Sequence, residues 1–206
     1  MCHHYLVPED LPEGWVFAFS LSEDQRQAYV AYAGKLKNHA AWPLKRLPGL
    51  RVDNSGELEA FDAEWGLLPR WWKPSDKTPK RAAFQRKTIN ARCETAHEKP
   101  TFREAIQKRR CLLPVSEFEE KKHYFATGEP MAFAGLWESW LAEEGELLTC
   151  TLLTTEPNAE VRAVGHHRMP VLLTTPEARS RWLVDGPDEE MMHSLADGVL
   201  SYRQKA

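Results

Sequence analysis

The sequence predicts an α+β protein, with a mixed, largely antiparallel, barrel-like β-sheet and flanking helices. Three observations carry this. With 206 residues, 42% of them hydrophobic and 28% charged, the chain has enough apolar surface for one substantial core. Its apolar runs are mostly short and rich in Leu, Val, Thr and aromatics, the composition of strands. The helical patterns do not alternate with those runs as parallel βαβ units would require. One domain over residues 1–206 is expected, carrying a helical insertion at 22–38.

Taken in order, Ser22 followed by Gln25 reads as a capped helix start, with Tyr29, Tyr32, Ala33 and Leu36 at helical spacing out to about Asn38. Arg51-Val52 and Leu58 to Phe61 flank Asn54-Ser55-Gly56, a hairpin with a glycine in its turn. Pro, Ser, Asp and Lys between Lys73 and Arg81 mark an exposed loop. Thr101 reads as the cap of a short helix to Arg110, after which Cys111 to Val115 is a strand. Further strands are expected at Met131 to Trp137, Leu147 to Thr155 and Met169 to Thr174, and helices at Pro176 to Trp182 and Asp188 to Leu200.

Composition narrows the class. No stretch approaches the ~20 apolar residues of a membrane span, and Met1-Cys2-His3-His4 is not a signal peptide, so a cytoplasmic protein is expected. Cys2, Cys93, Cys111 and Cys150 form no C-x-x-C pair, which argues against a disulfide framework or a structural zinc site; no metal and no cofactor are called for. Net charge is −3, yet residues 70–110 hold thirteen Lys and Arg against four acids. An excess of nine positive charges in an acidic chain makes one face attractive to polyanions, although a merely solvated segment has the same composition.

Cys2 is the most unusual position. Removal of Met1 exposes an α-amine with a reference pKa near 7.7–8.0 beside a thiol near 8.5, on adjacent carbons. Such a pair attacks an aldehyde twice, the amine giving a Schiff base and the thiol closing a five-membered thiazolidine. His166 to Pro170 is a second dense cluster, in which a histidine serves as a general acid or base, or as a cap. Glu117 to Lys122 offers three carboxylates, in a run that also fits a solvated turn. Within Thr88 to Arg92, Asn90 suits orientation of a substrate or amine and Arg92 suits bidentate phosphate contact. Trp65 to Trp72 interleaves aromatics with Arg70, the pattern of a base-stacking surface, and equally that of three core indoles.

In order along the chain, Cys2, Trp65-Gly66-Leu67-Leu68-Pro69-Arg70-Trp71, Ile89-Asn90-Ala91-Arg92-Cys93-Glu94-Thr95, Pro100-Thr101-Phe102-Arg103, Arg109 to Pro114, Gly135-Leu136-Trp137, Thr154 to Asn158 and His166 to Val171 resemble the SOS-response-associated peptidase family of abasic-site processing proteins. The resemblance implies that Cys2, freed of Met1 autoproteolytically or by an aminopeptidase, links through a thiazolidine to the opened aldehyde of an abasic site in single-stranded DNA. It implies catalytic roles for Cys2, Asn90, Glu120 and His166, with DNA contacts from Arg92, Arg168, Trp71 and Trp65. A monomer acting in the DNA-damage response is expected. Two segments depart from the family pattern. His3-His4 stands where Gly-Arg usually follows the cysteine, and Glu117-Phe118-Glu119-Glu120-Lys121 stands for the usual Gly-Phe-Tyr-Glu-Trp, leaving Glu117 or Glu119 as substitutes for Glu120. A thiol peptidase built on Cys, His and Asn or Glu, and a non-covalent single-strand binding module, are the competing readings.

Overall fold

The computed structural model describes residues 2–142 and 145–205. Five strands close a ring. β3 (Arg46–Val52) and β4 (Leu58–Trp65) form an antiparallel hairpin, β3 pairs with β6 (Arg110–Val115), β6 with β9 (Met131–Ala142), and β9 with β10 (Gly145–Thr155). The ring is closed by β10 lying parallel to β4, Cys150 opposite Trp65. Four antiparallel pairings and one parallel one make the expected mixed barrel, and closure leaves no long edge for another chain to pair with. Turn chemistry sets the first hairpin. Asp53 accepts hydrogen bonds from the backbone N–H groups of Ser55 and Glu57, and Gly56 supplies the positive φ of 87°.

A second sheet, of five strands, covers one side of the barrel. Its order is β13 (Ser201–Gln204), β8 (His123–Ala126), β7 (Glu117–Glu120), β1 (Tyr5–Leu6) and β2 (Ala40–Ala41). Strand alternation divides its side chains. Tyr5, Phe118 and Phe125 point into the core and are fully buried, with Tyr5 edge-on to Trp65 and Phe133 and Phe118 stacked on Phe125 at 5.2 Å. Each such ring contributes roughly 1.5–3 kcal/mol by burial. The stacked apolar row anchors the β7–β8 hairpin, and therefore Glu120 at its end, to the barrel.

Shorter elements attach to the ends of β10. β5 (Asn90–Arg92) runs parallel to it, and β11 (Met169–Pro170) runs antiparallel on the same stretch, with Thr154 opposite both Arg92 and Pro170. β12 (Leu172–Leu173) pairs with β9, so the apolar run from Met169 is two short strands bending at Val171 rather than one. Gly66 has φ 132°, and a Cβ there would lie 2.7 Å from that of Gln85; this close approach lets the chain leave β4 and pack against α2 (Arg81–Gln85) ahead of β5.

Three of the four expected helices are shorter than the sequence pattern suggests. α1 spans Glu23–Gly34 with Ser22 capping the Gln25 N–H at 3.3 Å, and a separate 3-10 turn follows at Lys37–His39. The helix expected from Thr101 is a turn followed by α4 (Ala105–Lys108), entered through Glu104 and not through a Thr101 cap. α3 (Cys93–Ala96), α5 (Ala159–Ala163) and α6 (Pro176–Val184) complete the set. The helix expected over Asp188 to Leu200 is a single 3-10 turn at Glu190–Met192, because Asp188 caps the Met191 N–H and Gly198, at φ 85°, turns the chain into β13. Among the described residues no helix is long and apolar enough to cross a membrane.

Candidate functional site

Four segments distant in sequence converge at one end of the barrel. Cys2 precedes β1 and is completely buried, its Sγ 3.6 Å from the carbonyl oxygen of His4. Asn90 begins β5 and donates from Nδ2 to the Cys2 carbonyl at 2.8 Å, fixing the backbone that carries the thiol. Its Oδ1 is buried without a hydrogen-bond partner among the described residues. Such acceptors are uncommon in a folded chain, and this one is available to a donor that enters the site.

Glu120 ends β7 on its inward face, and His166 lies in the loop between α5 and β11, with Nε2 3.3 Å from Glu120 Oε2. The histidine tautomer follows from its other nitrogen. Nδ1 lies 2.6 Å from the carbonyl oxygen of Arg168, which only accepts, so Nδ1 carries the proton and Nε2 offers its lone pair toward Glu120. Burial pushes the Glu120 carboxyl up to about 7, and burial also lowers the His166 pKa. Both shifts favour uncharged forms, so near pH 7 Glu120 exchanges between its two protonation states, and its protonated form faces the Nε2 lone pair. Burial, followed by the charge of Glu120, raises the Cys2 thiol well above its ordinary range and keeps it protonated.

Asn90, Glu120 and His166 line a cleft of about 720 Å³ together with four cations, Arg86, Lys87, Lys121 and Lys122, while Cys2 is fully buried and tied to the lining through Asn90. Lys121 and Lys122 sit at the β7–β8 turn with φ of 51° and 61°. Two consecutive left-handed residues make the tight turn that matches strand twist, at some steric cost for residues with a Cβ. Of the three acids in this segment, Glu120 alone faces His166. Glu119 points to the other face of β7 and meets His4 and Lys205, and Glu117 meets Arg203.

The remaining expected residues distribute unevenly. Arg92 is exposed beside Asn90, and Trp71 is 56% exposed with its ring edge-on to Phe84. Trp65, expected at a base-stacking surface, is instead a core residue: it is fully buried, its indole N–H donating to the Ile89 carbonyl at 2.7 Å, and neither ring face is open to a nucleobase. Arg168 is also buried, forked onto Glu94 at 2.7 and 2.8 Å and donating to the Thr154 carbonyl. It ties α3, β10 and the His166 loop together, and a phosphate would have to displace a carboxylate to reach it. The sequence does not single out the four cleft cations as a group, because Lys121 and Lys122 read as part of a solvated charge run.

A sequence profile described as SOS response associated peptidase (SRAP) matches residues 1–204. The chain is 41% identical over 157 residues to the abasic site processing protein YoqW of Bacillus subtilis, a match covering 68% of this chain and 66% of that protein. It is 28% identical over 172 residues to the abasic site processing protein HMCES of Gallus gallus, covering 68% of this chain and half of that one. The matches thus span about two-thirds of the bacterial relative and half of the vertebrate one. Among solved structures, a protein from Bacteroides thetaiotaomicron superposes with a TM-score of 0.75 at 23% identity, covering 98% of this chain and 91% of that chain. One from Bordetella bronchiseptica gives 0.74 at 24% identity, covering both chains completely. These two show the fold.

Proposed function

The chain belongs to the SOS response associated peptidase (SRAP) family, and from that premise we propose that it processes abasic sites in single-stranded DNA by joining Cys2 covalently to the lesion. On this reading residues 1–206 are one SRAP domain with an insertion at 22–38, acting as a cytoplasmic monomer that needs no cofactor in the DNA-damage response. Met1, which lies outside the described residues, is removed first, by the chain itself or by an aminopeptidase. The observation that carries the reading is that Asn90, Glu120 and His166 line one cleft with four cations, and that Asn90 holds the backbone of the buried Cys2.

The thiol's protonation sets the order of steps. A buried, neutral thiol is a poor first nucleophile, so the α-amine attacks the aldehyde first. An abasic sugar presents that aldehyde only after its ring opens, which needs a proton delivered to the ring oxygen and one withdrawn from the hydroxyl. The Glu120–His166 pair holds one proton between an acceptor and a donor and serves both transfers. Amine addition gives a carbinolamine, loss of water gives the Schiff base, and addition of Sγ to the imine carbon sends the thiol proton to nitrogen. One water leaves in all. Asn90, already holding the Cys2 carbonyl, directs its open Oδ1 toward the amine or a sugar hydroxyl. Arg92, the cleft lysines and Trp71 engage the flanking strand, and Arg168 contributes by holding the His166 loop.

The test is adduct formation with a single-stranded oligonucleotide bearing one abasic site, read on a denaturing gel. Cys2→Ala should abolish the adduct and leave non-covalent affinity within about twofold, since a buried thiol makes no phosphate contact. Cys2→Ala and Cys2→Ser both keep the α-amine and should stop at a Schiff base that is seen only after reduction. Full adduct from Cys2→Ala would overturn the reading, and turnover of a peptide substrate by the unmodified chain would favour a thiol peptidase.

A further inference from the structure

The two segments that depart from the family pattern touch each other. His4 Nδ1 lies 2.7 Å from Glu119 Oε2, and the same oxygen accepts from Lys205 Nζ at 2.7 Å. The contact belongs to a row that crosses the whole second sheet on its outward face: Trp42 stacks on His4 at 4.1 Å, Glu119 sits across from His4, Tyr124 is the register partner of Glu119, and Arg203 is the register partner of Tyr124. His4 is only 4% exposed and Glu119 only 13%. The backbone repeats the link, because the His4 carbonyl accepts both the Glu119 N–H at 3.0 Å and the Cys2 thiol at 3.6 Å, and the Lys205 N–H donates to the Lys122 carbonyl at the turn.

We propose that Glu119 is a positioning residue which, clamped between His4 and Lys205, couples the C-terminal strand to the Cys2 segment and sets the charge next to Glu120. A compact His–Glu–Lys joint thus replaces whatever the Gly-Arg and Tyr of the family pattern supply at these positions. The inference rests on the reading of Glu120 as the proton carrier. The charged groups around Glu119 are His4 from the N-terminal segment, Lys205 and Arg203 from the C-terminal strand, and Glu120 and Lys121 on its own hairpin. Glu120 is faced in addition by Cys2 and by His166, and it shares its cleft with Arg86 and Lys87. Burial raises the Glu119 carboxyl, but hydrogen bonds from Lys205 and His4 outweigh this and hold it below its ordinary value, so it is ionised while Glu120 titrates. Its negative charge then disfavours ionisation of Glu120 and of the Cys2 thiol.

The test is the carboxyl NMR titration of Glu120 in the full chain without DNA, set beside the pH profile of adduct formation. Glu119→Gln should lower the Glu120 midpoint by about half a pH unit, and Lys205→Ala, which strips the cation from Glu119, should raise it by a smaller amount. Lys205→Arg should restore it. The adduct profile should move in the same directions, whereas loosened packing would slow the reaction without opposite shifts. A Glu120 midpoint unmoved by Glu119→Gln, or moved in one direction by both variants, overturns the inference whatever the DNA result. Lys205 is exposed at 38%, so its variants remain folded if Glu119→Gln does not. Midpoints that move as stated in chains that form no adduct at any pH would remove the abasic-site reading alone.

Discussion

Glu120 titrates near 7 in the folded chain because burial withdraws water from its carboxylate, and near 4.5 once unfolded. A group raised in this way contributes stability that is fully present below about pH 4.5 and is lost as the pH rises through about 7, a cost of about 3 kcal/mol when both states are ionised. His166 acts in the opposite sense. Its folded pKa is lowered, so its contribution is present above 6.5 and lost as the pH falls. Comparing Glu120→Gln with the unmodified chain isolates the carboxyl. The variant should be more stable by up to about 3 kcal/mol at pH 8 and nearly equal at pH 4.5 in urea unfolding, while its adduct rate falls about a hundredfold or more. Equal stability at both pH values would mean that Glu120 is not held protonated by burial.

Among the elements, the β7–β8 hairpin decides where the chemistry sits. Alternation puts Phe118 and Glu120 inward and Glu119 outward, so one strand of four residues holds a core ring, the proposed proton carrier and the His4 joint at once. The sequence hides this. Glu117 to Lys122 carries charges on both faces, and its turn is made by two lysines in place of the Asn-Gly or Gly that marks such turns, so the hairpin reads as solvated loop. The short C-terminal strand is equally silent, because all four of its residues are exposed and an edge strand has no apolar face to display. Elements with local signals are legible: the Ser22 cap, the Asn54-Ser55-Gly56 turn and the apolar strands of the barrel lie where their residues point. The candidate residues Cys2, Asn90, Glu120 and His166 are reachable through motif order, and the structure brings them together, whereas burial of Trp65 and Arg168 depends on contacts with Ile89, Glu94 and Thr154 that no local pattern encodes. Because α1 packs on the β3–β4 side of the barrel, away from the cleft, Ser22→Ala should cost about 1 kcal/mol in thermal or urea unfolding and leave the adduct rate unchanged. A slowed reaction would tie the helix to the site.

Across the whole molecule, charge is arranged by place more than by amount. Of the thirteen cations between Arg70 and Arg110, all but Arg109 and Arg110 are exposed, and Arg86, Lys87, Lys121 and Lys122 line the cleft of a chain whose net charge is −3. Binding to single strands should therefore weaken linearly with the logarithm of salt concentration. Replacing Lys121 and Lys122 together by Gln should reduce that slope by about 0.7 for each phosphate that the two lysines neutralise. A slope unchanged in the double variant would put the strand elsewhere, on the Arg70 to Lys80 face with Trp71.

The central claim is that the amine and thiol of a processed Cys2 close on one aldehyde. Intact mass under denaturing conditions, before and after mixing with a single-stranded oligonucleotide bearing one abasic site, tests it most directly. The account predicts a starting mass without Met1 and a product heavier by the oligonucleotide less one water, absent in Cys2→Ala. A chain that has lost Met1 and keeps its mass unchanged after the mixing would contradict it.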